Sequence, residues 1–137
     1  MPISSLQISG SGLTAERARL DAIARNIANV ETTRGPGGGP YKRQMVVFEA
    51  ISPEGGDAQS AGGVKVAQVI ESADDPRMVH RPGHPDADEN DNVAMPNINI
   101  VEEMVDMITA TRAYEANTGA ANATKSMISA AIGLGRP

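Results

Sequence analysis

Leu6, Leu13, Leu20 and Ile27 recur at seven-residue intervals, with Ile23 and Val30 three positions beyond the last two. That spacing lays an apolar stripe along one side of a helix, so a helix is predicted over residues 5–30. Its firm part is 15–30. Ser9 and Glu16 interrupt the stripe, Gly10 and Gly12 soften the start, and Thr14 is placed to cap the turn that follows. At the other end of the chain Ile100, Met107, Tyr114, Ala121 and Ile128 repeat every seven residues, with Met104, Thr111, Thr118, Lys125 and Ile132 at the complementary positions. Ile98, Val101, Val105 and Ile108 widen the apolar face beyond what one partner helix covers. Asn99 can cap this second helix, with Glu102 as its reciprocal partner. Glu102, Glu103 and Asp106 suit the positive start of the helix, Lys125 and Arg136 its negative end, and Gly133 with Gly135 closes it.

The middle has a different texture. Residues 31–96 hold nine of the fourteen Gly and seven of the nine Pro. The run from Gly35 to Pro40 cannot be helical, and Gly55-Gly56 and Gly62-Gly63 mark turns. Between them strands are predicted at Tyr41–Phe48 and Val64–Glu71, with shorter ones at Arg77–His80 and Val93–Met95. The predicted fold is mainly α with a small β-rich insert. Residues 1–33 and 97–137 supply an N-terminal and a C-terminal helix that pair as an antiparallel coiled-coil stalk, and 34–96 form a central, loop-rich β domain.

Composition sharpens this picture. Tyr41, Phe48 and Tyr114 are the only aromatic residues and there is no Trp. The core must therefore come from Leu, Ile, Val, Met and Ala, which suits helix packing and assembly better than a dense enzyme core. The net charge of −5 lacks the basic face that nucleic acid requires. Residues 31–96 carry six basic and eleven acidic groups, so the excess is in the insert. Cysteine is absent, which removes disulfide and thiol chemistry. No Sec-type signal peptide and no membrane span are expected, so a soluble protein is predicted.

Candidate chemistry is sparse. His80 and His84 with Asp86, Asp88, Glu89 and Asp91 form a polar cluster that could suggest calcium or zinc, and its acidic run 86–91 resembles the opening of a calcium loop. Asp91 stands where such a loop needs Gly, however, and Asn97 where it needs a bidentate Glu, so a solvated turn is predicted. Gly10-Ser11-Gly12-Leu13-Thr14-Ala15 follows no strand and reads as a flexible helix start rather than a nucleotide loop. No nucleophile has a nearby activating base. No enzyme activity, cofactor or metal is expected. The amide-rich runs Asn26-Ile27-Ala28-Asn29 and Arg112-Ala113-Tyr114-Glu115-Ala116-Asn117 place polar groups in helices otherwise built for packing. They read either as a plain helix cap and a solvated face, or as a polar lock on helix register. The residues assigned to packing and assembly are Leu13, Leu20, Ile23, Ile27, Val30, Ile100, Met104, Met107, Tyr114 and Ile128. Those assigned to the polar register are Asn26, Asn29, Thr33, Arg112, Glu115 and Asn117.

These motifs, with Ser11-Gly12-Leu13-Thr14-Ala15, Gly39-Pro40-Tyr41-Lys42-Arg43-Gln44, Pro82-Gly83-His84-Pro85-Asp86-Ala87, Val93-Ala94-Met95-Pro96-Asn97 and Val101-Glu102-Glu103-Met104, resemble the bacterial flagellar axial proteins of rod and hook. The resemblance covers both ends of the chain and the flanks of the insert. It implies a structural subunit of the proximal rod that stacks helically with its own copies and with FlgB, FliE, FlgF and FlgG, transmitting torque and enclosing the export channel. It further implies passage through the flagellar type III export apparatus to the periplasmic rod, without a cleavable signal peptide. The alternative that fits the helices alone is a soluble coiled-coil adaptor or export chaperone.

Overall fold

The computed structural model describes residues 2–51 and 62–135. Helix α1 spans Pro2–Ala28 and helix α2 spans Ile100–Leu134. Between them lie strands β1 (Gln44–Ala50), β2 (Val64–Glu71), β3 (Arg77–His80) and β4 (Asn92–Met95). The turn expected at Gly55-Gly56 and the cation expected at Arg136 lie outside the described residues.

Two expectations about α1 need correction. Thr14 does not cap: the helix runs unbroken from Pro2 through Gly10, Gly12 and Thr14, whose hydroxyl donates to Gly10 O at 3.1 Å. Its buried stripe is also rotated away from the leucines. Ser9, Gly12, Ala15, Ala22, Ile23 and Asn26 are buried, Leu13, Leu20 and Ile27 are half-buried, and Leu6 is exposed. The reason is closeness: α1 lies between α2 and the β1–β2 hairpin, and small residues let both approach.

The contacts Asn26–Glu103 and Gly12–Asn117 define the arrangement of the helices. These points are fourteen residues apart on each helix and run in opposite senses, so α1 and α2 are antiparallel. A Cβ on Gly12 would come within 2.9 Å of the Asn117 amide, so glycine is what admits this approach. Along α2 the inward positions are Glu103, Ala110, Asn117 and Thr124, at heptad spacing, with Met107, Ala121 and Ile128 half-buried beside them. Of Met104, Thr111, Thr118, Lys125 and Ile132 only Thr118 is half-buried; the other four are exposed and do not supply the complementary half of the seam. Asn99 caps α2, accepting from Val101 N–H at 3.0 Å, while the Glu102 side chain makes no hydrogen bond among the described residues. The helix continues through Gly133, and Gly135 ends it, donating to Ile132 O.

β1 and β2 pair antiparallel from Gln44↔Glu71 to Ala50↔Val64, with Ala67 as the extra residue of a bulge. Ser11 Oγ accepts from Val64 N–H at 3.1 Å and Asn26 holds Gln44, so the hairpin lies lengthwise on α1. The lengths match. The helix from Ser11 to Asn26 spans roughly 22 Å and seven strand residues roughly 23 Å. At the hairpin's far end Gly63 adopts φ +115°, and a Cβ there would strike Ser11 Oγ at 2.5 Å, so both backbone and space require glycine. β3 and β4 pair as a second two-stranded sheet, Arg77↔Met95 to His80↔Asn92. Val93, Met95 and Ile98 are buried around it. Among the described residues no helix is long and apolar enough to cross a membrane.

Candidate functional site

The chain after α1 turns back on itself. Gly35 N–H donates to Gly39 O at 2.6 Å, Gly38 takes φ +82°, and Tyr41 N–H reaches Thr32 O at 3.0 Å. This reversal brings Tyr41–Gln44 against the last turns of α1, where Asn26 is 1% exposed. Its amide uses its full hydrogen-bonding capacity. Nδ2 donates to Gln44 O and to Glu103 Oε2, both at 2.9 Å. Oδ1 accepts from Gln44 N–H at 2.8 Å and from the Tyr41 hydroxyl at 3.1 Å. Four satisfied bonds leave the amide one orientation.

Glu103, in the first turn of α2, is likewise 1% exposed. One of its oxygens takes the Asn26 amide and the other takes Arg43 Nε at 2.5 Å. Arg43 also reaches Asp106 at 3.3 Å, and Arg19 of α1 sits 3.7 Å from Asp106. One amide, two carboxylates and two guanidiniums thus join α1, α2 and the start of β1. A buried carboxylate is tolerable only when paired and hydrogen-bonded in this way. Burial pushes the Tyr41 phenol above its ordinary 10.0; nearby Arg25 opposes this, and Glu103 and Glu71 add to it. The phenol therefore keeps the proton it donates to Asn26, and its contribution is lost only as pH rises past 10.0.

A second polar tie holds the 81–91 loop to the chain after α1. Asp86 accepts from Thr33 Oγ1 at 2.7 Å and pairs with Arg34. His84 Nδ1 accepts from Asp86 N–H, and Asp88 Oδ1 accepts from Asn90 and Asn92 N–H. The loop is thus organised by hydrogen bonds within itself and to Thr33–Arg34. Among the described residues no group of three or more His, Asp or Glu is placed to hold a metal. The Thr33 hydroxyl first, and Arg34 after it, hold the Asp86 carboxyl below its ordinary 3.8. A lowered carboxyl stabilises at pH above its unfolded value and loses that contribution as pH falls through the folded one. The tie through Asp86 is therefore expected to weaken only below pH 3.8. A carboxyl titration followed by NMR should show Asp86 below that value, and Thr33→Val should raise it.

The polar residues singled out by sequence fall into three places. Asn26 and Asn117 lie at helix–helix contacts, Asn117 also donating to Ala113 O at 3.0 Å. Asn29 closes the end of α1, donating to Arg25 O and accepting from Thr32, while Thr33 holds Asp86. Arg112 and Glu115 face outward and are exposed. Among the packing residues Ile23 is buried, Leu13, Leu20, Ile27, Val30, Met107 and Ile128 are half-buried, and Ile100, Met104 and Tyr114 are exposed. Sequence reasoning passed over Glu103 and Arg43, assigning the former to the helix dipole. The available signal was its heptad spacing to Ala110, Asn117 and Thr124.

Both helices and their flanks carry family matches. The model described as "Flagella basal body rod protein" matches residues 6–36, which contain Asn26. The model described as "Flagellar basal body rod FlgEFG protein C-terminal" matches residues 89–134, which contain Glu103. Full-length similarity is broader. The flagellar basal-body rod protein FlgC of Borreliella burgdorferi is 41% identical over 145 residues, covering 96% of this chain and 95% of that protein. The Salmonella typhimurium FlgC is 42% identical, covering 98% of each, and that of Bacillus subtilis is 39% identical, covering 96% and 97%. A small-residue seam locked by a buried amide–carboxylate pair, in a chain aligned end to end with these proteins, leads to one conclusion: the chain belongs to the FlgC family of flagellar basal-body rod proteins, as a structural subunit of the basal body and not an enzyme.

Proposed function

We propose that residues 1–33 and 97–137 form an antiparallel coiled-coil stalk to which residues 34–96 are clamped as a small β domain, and that stalks pack side by side into a tubular rod. The observation that carries this reading is the unused apolar face of α2. Val101 is 68% exposed, Met104 53%, Val105 56% and Ile108 55%. A contiguous apolar face of this kind is rare on a free-standing monomer and suits coverage by neighbours. In the rod those neighbours are further copies and the rod proteins FlgB, FliE, FlgF and FlgG. The assembled tube transmits torque and encloses the export channel. The subunit reaches this position, in the periplasmic space, through the flagellar type III apparatus without a cleavable signal peptide.

In this reading Leu13, Leu20, Ile23, Ile27, Val30, Met107 and Ile128 seal the stalk, while Ile100, Met104 and Tyr114 meet neighbours. Asn26 and Asn117 fix which turn of α1 meets which turn of α2, while Asn29 closes α1 and Thr33 anchors the 81–91 loop. Sliding α2 by one heptad would set Asn26 against Ala110, removing one of the two acceptors of its amide and parting Glu103 from both Asn26 and Arg43. Arg112 and Glu115 supply polar contacts between subunits. The test is Val105→Asp. An exposed substitution should move the monomer's stability by no more than about 0.5 kcal/mol. A carboxylate inside an apolar contact costs several kcal/mol, so rods and motility should be lost. Normal flagellation by this variant would overturn the packing proposed.

A further inference from the structure

Helix α2 is longer than the seam it shares with α1. Continuing the pairs Asn26–Glu103 and Gly12–Asn117 along that seam sets Pro2, the first residue of α1, level with Met127. Residues 128–134 therefore project past α1 by roughly 10 Å. Met127, Ala130, Ala131 and Leu134 share one side of this end of α2, and all four are exposed, Leu134 to 88%. No basic residue stands in the last turn to answer the negative end of the helix. The other end of the helix pair carries the complement. Where α1 stops and α2 starts, Val30, Arg77, Asn97, Ile98, Asn99 and Ile100 line an open cleft of about 490 Å³. Ile98 is buried, Val30 half-buried and Ile100 44% exposed. Arg77 is exposed and forms no ion pair among the described residues.

We propose that in the rod this cleft receives the aliphatic end of the C-terminal helix of the next subunit, as α2 presents it through Leu134. Charge fits as shape does. A helix end that is negative and has no cation of its own meets Arg77 and the start of another helix, where N–H groups gather positive partial charge. Position fits as well. Leu134 and Ile100 lie roughly 50 Å apart along α2 and about 160° apart around it, at 100° per residue. Two subunits that overlap at their ends need their contact surfaces on opposite sides in this way. Because projection and cleft are different surfaces, the contact is heterologous, and its repetition adds subunits end to end without closing a ring. The inference rests on the rod packing proposed for this chain but names a contact separate from the outward face at Val105. It forms only in the assembled rod, so it asks for no folded helix in the free subunit.

The test uses basal bodies assembled in cells. Leu134 is 88% exposed, so Leu134→Asp leaves the subunit's own packing alone. It should nevertheless weaken the end contact by roughly tenfold or more and leave the cells without flagella. Leu134→Met should keep them, because the cleft asks for an apolar side chain and not for leucine. The contact itself is read by placing the photoreactive residue p-benzoylphenylalanine at Ile100, irradiating isolated basal bodies and identifying the adduct by mass spectrometry. The label should attach to the last two turns of a C-terminal helix from a neighbouring rod subunit. The same label at Asn97, exposed and on the same cleft, reads the contact if the first variant does not assemble. Adducts on any other segment, or normal flagellation by Leu134→Asp, overturn the proposal. Loss of rods by Val105→Asp would still stand in either case, so failure here is distinct from failure of the side-by-side packing.

Discussion

Asn26→Asp is expected to destabilise the fold by about 3–5 kcal/mol at neutral pH, although it changes neither shape nor volume. The amide that donates to Gln44 O and to Glu103 Oε2, both at 2.9 Å, becomes an oxygen facing two acceptors. A second carboxylate then lies beside Glu103 in a site that is 1% exposed. No cavity forms, so the loss measures the polar joint alone. Its pH dependence has a definite sign. The neighbouring carboxylate raises the pKa of the introduced carboxyl above its unfolded value, so the penalty is full at neutral pH. It should shrink as acid protonates that carboxyl and restores a donor toward Glu103. Urea denaturation at pH 7 and at pH 5 checks both statements. A loss under 1 kcal/mol, or one that grows with acid, would show that the joint is not the anchor described.

Gly12→Val should cost about 2–3 kcal/mol by forcing the helices apart. A Cβ there already lies 2.9 Å from Asn117 Nδ2, and that amide is held by Ala113 O at 3.0 Å, so it cannot swing away freely. The milder Gly12→Ala separates two effects. Alanine gains about 0.5–1 kcal/mol of helix propensity over glycine, against the collision. Removing the obstacle with Asn117→Ala should leave the double variant with Gly12→Ala at least as stable as the parent. The same second change should recover most of the Gly12→Val loss. Thermal melts of the four variants decide it. Failure of Asn117→Ala to rescue either would place the obstruction elsewhere.

Element type was legible because it is local. Heptad spacing predicts both helices, and α2 begins at Asn99 as its side chain requires. Val64–Glu71 and Arg77–His80 coincide with β2 and β3, and glycine and proline mark the reversals between them. Thr14 was misread as a cap because Gly10 and Gly12 weaken an isolated helix, whereas here packing on both sides offsets that cost. Gly12 is in fact the residue that permits the packing.

What the sequence by itself determined about this protein is the set of elements, their order, and the excess of apolar surface that a two-helix pairing cannot hide. The resemblance of its motifs to flagellar axial proteins was legible there too. Which stripe faces inward was decided only in three dimensions. Periodicity counts apolar residues, yet α1 can be covered on two sides only where its side chains are small, so Gly12, Ala15 and Ala22 face in and Leu6 faces out. The joint of Asn26, Tyr41, Arg43 and Glu103 was likewise invisible, since its members lie up to 77 positions apart. A buried carboxylate reads in sequence as a surface charge until the fold delivers an arginine and an amide to it. Desolvation makes that delivery obligatory, and it is a property of the folded chain alone.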